Sequence, residues 1–283
     1  MRLKRVISAV ILLSAVIACT VVGSYALGVL VLLFIVAGLY EIFRAFEPKG
    51  YKPMKIPGFC FAGIFLLQLI FGSPDIFHIY LFENENFSWS GPLFVLLLLT
   101  MLTVMVFRHK KYTPADAAVT FFGAFYVTVL TSFALSLREI DGGKGGLFVF
   151  LLAMITDVCS DTFAYEVGSR IGKHKLIPAV SPKKSVEGSI GAFAGSIIGG
   201  LLLGVLFIYT GWFTAIKLFW YPVVGLFVGF LSQVGDLSAS MIKRYVGIKD
   251  FSNIIPGHGG VIDRLDSLMF VFPAVYYFVR LIM

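Results

Sequence analysis

Ser232–Asp266 reads SQVGDLSASMIKRYVGIKDFSNIIPGHGGVIDRLD and stands between two apolar runs, 218–236 and 266–282. Each run is long enough to cross about 30 Å of hydrocarbon as a helix. The stretch between them gathers four carboxylates (Asp236, Asp250, Asp263, Asp266), four permanent cations (Lys243, Arg244, Lys249, Arg264) and a PGHGG turn. Charge of this density beside membrane spans is costly, so it marks a functional site by default.

Working outward, apolar runs recur at 5–24, 25–43, 57–73, 92–107, 115–137, 146–168 and 187–210. The pattern predicts an all-α fold, a polytopic transmembrane helical bundle of about nine spans. A membrane barrel would show short alternating segments instead. The 58% hydrophobic and 14% charged composition, with mean hydropathy +0.92, excludes an ordinary soluble protein. We expect one integrated membrane domain, with scaffold helices in 1–145 and catalytic helices in 146–283.

Charge sets the orientation. A cytoplasmic N-terminus puts all but Arg138, Lys144, Lys217 and Arg280 of the 23 Lys and Arg on the inner side. The 236–266 stretch then faces the cytoplasm. The net charge of +7 serves topology and anionic membrane lipids, so no nucleic-acid partner is expected. Cys19, Cys60 and Cys159 have neither disulfide nor metal spacing. Val16–Cys19 resembles a lipoprotein cleavage box, but the apolar run continues to Val22, which favours an intact first helix. The outer segment around Pro74–Gly91 reads as an interfacial cap.

Glu41 and Asp116, near cytoplasmic helix ends, read as dipole partners or headgroup-level ion pairs. In the sixth run Asp157 and Asp161 are four apart, on one helix face that Tyr165 continues. Two acids one turn apart persist where a cation, a proton or water serves them. The following segment is basic: Arg170, Lys173, His174, Lys175, then Ser181-Pro182-Lys183-Lys184-Ser185. Ser181-Pro182 reads as a turn before a helix start, a place that suits phosphate. Gly188, Gly191, Ala192, Gly195 and Gly199 predict close helix contact. Ser232, Asp236 and Ser240 recur every four residues and form one polar stripe, with Lys243 and Arg244 a turn beyond.

Acids from runs six, eight and nine can meet at one cytoplasmic-side cavity. Oxygen ligands without Cys suit a hard cation, and Mg²⁺ fits best because substrate phosphates and water complete its shell. Acids for a metal with cations for phosphate oxygens are the outfit of phosphoryl or nucleotidyl transfer.

The run Ser240-x-Ile242-Lys243-Arg244 through Lys249-Asp250, Ile255-Pro256-x-His258-Gly259-Gly260-Val261 and Asp263-Arg264-Leu265-Asp266 resembles the signature of the CDP-diacylglycerol synthases (phosphatidate cytidylyltransferases). Ser160-Asp161, Ala164-Tyr165 and Ser181–Gly188 are similar to further stretches of that family, with Thr162 and Ser185 as mild departures. The resemblance covers about 150–283. It implies that CTP and phosphatidate give CDP-diacylglycerol and pyrophosphate, with Mg²⁺ required, in the bacterial cell (inner) membrane. A second cation such as K⁺ is left open, and the Gly-lined spans leave room for a homodimer. A phosphate monoester is already an anionic nucleophile, so positioning and charge neutralisation carry the reaction.

On this basis Asp236 and Asp263 are expected to hold the metal, with Asp161 and Asp266 supporting. Lys183, Lys184, Lys243, Arg244 and Arg264 are expected to clamp the phosphates, with Ser181, Ser240 and Lys249 beside them. His258, Gly259 and Gly260 would shape the phosphate turn, and His258 is a candidate for proton transfer. Two other classes stay open: a CTP-dependent lipid kinase and an ion-coupled membrane transporter. The transporter would want inverted repeats and a polar path along the whole span, which the sequence lacks.

Overall fold

Helix underlies every apolar run. The computed structural model describes residues 2–71, 90–255, 257 and 259–283, with side chains from Ile11 onward. The helices are α1 (Arg2–Val22), α2 (Ser24–Phe46), α3 (Lys55–Phe71), α4 (Ser90–Phe107), α5 (Pro114–Gly123), α6 (Leu130–Arg138), α7 (Gly146–Ile171), α8 (Val186–Tyr209), α9 (Trp220–Val246), α10 (Ile262–Leu265) and α11 (Leu268–Ile282). A π-helical turn, Ala124–Val129, joins α5 to α6, so that 114–138 forms one span. Among the described residues, seven helical segments are long and apolar enough to cross a membrane. The shorter apolar helices 11–22 and 55–71 account for the other two expected runs. The protein is therefore an all-α, polytopic membrane protein. The expected cap around Pro74–Gly91 lies outside the described residues except for its last two.

By contacts the chain divides into two compact units, 1–136 with 248–264, and 137–247 with 265–283. In the first, α2 packs on α1, α3 and α5. Its inner face, Ile35, Leu39, Ile42 and Phe43, is fully buried. The Phe43 ring fills the space over Gly58 and Gly123, where a methyl group would come within 2.7–2.8 Å of it. Thr113 and Asp116 form a reciprocal capping box at the start of α5. Asp116 also accepts from the Lys52 N–H at 2.6 Å, so it is a helix cap, as expected, and a tie to the preceding loop.

Glu41 departs from expectation. It is fully buried and accepts from the Val261 and Ile262 N–H groups and the Ser252 hydroxyl. An acid in an apolar helix needs such donors, and here residues far along the chain supply them.

In the second unit α7 and α8 pack along small residues. A methyl group added at Gly191 would meet Val167 at 2.7 Å, and one at Gly195 would meet the Cys159 carbonyl oxygen and Phe163 at 2.6 Å. The close contact expected at Gly188–Gly199 is therefore real, and α7 is the partner. On the other side of α8, Gly204 seats the buried Tyr221 ring of α9, which a methyl group there would approach to 2.4 Å. Gly225 of α9 abuts the Ser196 backbone. Helix α11 packs on both α7 and α9.

A two-stranded antiparallel hairpin, β1 (Lys175–Ile177) and β2 (Ser181–Ser185), links α7 to α8. The expected turn at Ser181-Pro182 is a strand instead. Pro182 is tolerated because a two-stranded sheet has only edges. The helix start itself lies where expected: Ser185 caps α8, its hydroxyl accepting from the Gly188 N–H at 3.1 Å.

Candidate active site

Within the second unit, α7, β2, the first turn of α8 and α9 surround a cavity of about 370 Å³. Its wall carries Asp161 and Tyr165 from α7, Lys183 and Lys184 from β2, and Gln233 and Asp236 from α9. The period of α7 aims Asp161 and Tyr165 to one side, and Gln233 and Asp236 lie three apart on α9. Glu187 holds the floor in register. Its carboxyl accepts from the Lys173 and His174 N–H groups and meets His174 Nδ1 at 2.6 Å, fastening the entry of the hairpin to the first turn of α8.

Lys184 Nζ lies 2.6 Å from Asp236 Oδ2, with both side chains partly exposed. Ser240 approaches the other Asp236 oxygen at 3.4 Å, a long hydrogen bond. Along the expected stripe Ser232 is fully buried, Asp236 is partly exposed and Ser240 is buried again. Below the cavity Asp157 is buried. Its Oδ2 accepts from the Ser267 hydroxyl at 2.9 Å, and among the described residues Oδ1 has no partner within normal hydrogen-bond geometry. Asp157 and Asp266 each lie within electrostatic range of Asp161 and Asp236. Four acids from α7, α9 and the 265–283 segment therefore share one region, with Lys243 acting on Asp266 from the outer end.

Other expected residues stand elsewhere in the second unit. Arg244 is exposed, and its Nε donates to the Val180 carbonyl at 3.2 Å, bracing the hairpin. Ser181 begins β2 without lining the cavity.

Asp263 belongs to the first unit. It is buried, and its Oδ2 accepts from the Phe251 N–H at 2.8 Å and the Gly260 N–H at 3.0 Å. Ile255 and Gly259 exchange backbone hydrogen bonds at 2.9 and 3.2 Å, closing a tight loop. Gly259 has φ +89°, a backbone conformation that calls for glycine, and a methyl group there would also crowd Asp263 Oδ2 at 3.2 Å. Lys249, Asp250 and Arg264 are exposed. His258 and Pro256 lie outside the described residues.

Within neither unit, among the described residues, do three or more His, Cys, Asp or Glu side chains form a ready-made metal cage. The donor set still fits a hard divalent ion of the kind that takes one or two carboxylates and completes its shell with water and phosphate oxygens. Asp161 and Asp236 on the cavity wall are oxygen donors of that sort, and beneath them lies the buried Asp157, whose Oδ1 has no hydrogen-bond partner among the described residues.

Sequence reasoning misses two residues. Gln233 lines the cavity while its Nε2 donates to the Gly229 carbonyl at 2.7 Å. A polar side chain three before Asp236 in an apolar helix is the available signal. Glu41 stands out in the sequence only as a helix-end acid, because nothing local betrays donors from beyond residue 250.

The profile of the cytidylyltransferase family matches residues 3–282. A phosphatidate cytidylyltransferase of Synechocystis sp. is 31% identical over 304 residues, covering 99% of this chain and 97% of its own. That of Bacillus subtilis is 31% identical over 279 residues, with 98% and 97% covered. That of Staphylococcus saprophyticus is 33% identical over 227 residues, covering 78% of each chain. With a family match from end to end and a cavity that pairs acids with lysines, the chain belongs to the cytidylyltransferase family.

Proposed function

We propose that the protein transfers the cytidylyl group of CTP to phosphatidate, giving CDP-diacylglycerol and pyrophosphate for phospholipid synthesis. The observation that carries the reading is the cavity that sets Asp161 and Asp236 beside Lys183 and Lys184. In the reaction a phosphatidate phosphate oxygen attacks the α-phosphorus of CTP. The new P–O bond forms as the bond to the β-phosphate oxygen breaks, and pyrophosphate leaves with that electron pair. The nucleophile is already anionic, so no residue has to deprotonate it.

This chain's part is to hold the reactants and offset their charge. Lys183 and Lys184 bind phosphate oxygens at the cavity, and Lys243, Arg244, Lys249 and Arg264 add positive potential for the second anionic reactant. Asp161 and Asp236 would hold Mg²⁺, with Asp266 as a further acid for it, and Asp263 of the first unit is the other acid the reaction draws on. Bound there, the ion neutralises triphosphate charge. Lys184 now pairs with Asp236, so occupation of the site exchanges that partner and turns the ammonium toward phosphate. The Lys/Arg distribution supports a cytoplasmic N-terminus and a cavity that opens toward cytoplasmic CTP in the bacterial inner membrane.

The test is purified protein in phosphatidate vesicles with CTP labelled at the α-phosphate, with Mg²⁺ or with EDTA. We expect label to enter the lipid fraction and unlabelled pyrophosphate to be released, only when Mg²⁺ is present. Release of CDP with a phosphorylated lipid would instead make the protein a CTP-dependent kinase. Transfer undiminished in EDTA would remove the metal assignment.

A further inference from the structure

We propose that Glu41 is a positioning residue for the reaction, a buried carboxyl on α2 that holds the 251–263 loop in the shape that presents Asp263. The inference rests on the cytidylyl-transfer reading above. Glu41 Oε1 accepts the Val261 N–H at 2.8 Å and the Ser252 hydroxyl at 2.5 Å, and Oε2 accepts the Ile262 N–H at 2.9 Å. All three groups donate, which suits a carboxylate. An amide would set an NH₂ against a backbone N–H. The fit is close: a methyl group at Gly260 would come 2.7 Å from both Glu41 oxygens.

Glu41 therefore fastens the loop at both ends, at Ser252 and at 261–262. Between those points the loop holds itself by the Ile255–Gly259 bridge and by the two N–H groups that Asp263 accepts. Gly260 links the two systems, because its N–H goes to Asp263 while the space where a side chain would stand is taken by Glu41. Loss of the Glu41 contacts frees 261–262, the residues next to Asp263, and a carboxylate displaced by an ångström no longer offers its oxygens where the reaction needs them. Glu41 touches no substrate in this scheme and acts through Asp263.

The test uses full-length protein with Cys19, Cys60 and Cys159 replaced by Ala and the exposed Asn253 replaced by Cys carrying a nitroxide label. Glu41→Gln and Ser252→Ala are compared with this parent. For Glu41→Gln we expect a more mobile label spectrum and a fall in kcat of about tenfold or more, with helix content retained. Ser252→Ala, which keeps both backbone contacts, gives a smaller change in the same direction. An unchanged label spectrum in Glu41→Gln overturns the inference, whether or not kcat falls. If Glu41→Gln does not fold, Ser252→Ala decides: a parent-like spectrum and parent-like kcat overturn the inference. A parent that makes no CDP-lipid sinks the cytidylyl-transfer reading, while the label still reports whether Glu41 holds the loop.

Discussion

Lys184 and Asp236 show why an ion pair can matter for function and little for stability. Their contact is short, but both side chains are partly exposed, 26% and 35%, so the pair contributes about 0–1 kcal/mol to folding. Lys184→Met should leave the melting temperature in detergent nearly unmoved and raise KM for CTP about tenfold, the worth of one charge-assisted contact to phosphate. Steady-state kinetics at saturating phosphatidate read the change. Asp236→Asn keeps the shape of the cavity and removes a charge. It should lower the rate of CDP-lipid formation about a hundredfold or more, with the protein still eluting as the parent does. Near-parent turnover by Asp236→Asn would mean that the metal and the chemistry lie elsewhere.

At the scale of elements, the α7–α8 seam is where sequence and structure agree most closely. Small residues on α8 let it approach the backbone of α7 at Cys159, where a methyl group at Gly195 has no room. Gly195→Ala should therefore destabilise by about 1–3 kcal/mol, as overpacking does. Gly63→Ala on α3 meets nothing within 4 Å and should be neutral or slightly stabilising, since alanine favours helix by about 1 kcal/mol. Thermal unfolding of both in one detergent makes the comparison. The seam was legible because a stripe of small residues repeats with the helix. The spans were legible for a similar reason: apolar length needs no knowledge of neighbours. The β1–β2 hairpin was not, because strands of three and five residues carry too little alternation to stand out from a basic loop. The acidic region beneath the cavity was half legible. Asp157 and Asp161 declare their shared face by spacing, whereas the Ser267 hydroxyl on Asp157 is a pairing across 110 positions.

At the scale of the whole molecule, nearly all positive charge falls in the segments assigned to one side. Arg138, Lys144, Lys217 and Arg280 are the exceptions among the 23 Lys and Arg. Single cysteines in a cysteine-free background turn this into a measurement. Lys217→Cys should react with a membrane-impermeant thiol reagent in intact cells, and Lys173→Cys only after the membrane is opened. The reverse labelling would invert the orientation and put the cavity on the wrong side for cytoplasmic CTP. The way the chain divides was hidden from the sequence. Residues 248–264 group with the N-terminal helices although they stand between α9 and α11, and no local pattern announces a partner on α2.

That arrangement bears on how the protein is made. Glu41 is synthesised early, and the groups that satisfy it follow 211 to 221 positions later. A ribosome that halts before residue 252 leaves an acid in a greasy helix with none of those donors, a state that costs several kcal/mol or draws in water or a proton. The N-terminal unit is thus completed only after residues 252–262 have been made, and a chain halted before them carries a chemical sign of its own incompleteness in the bilayer.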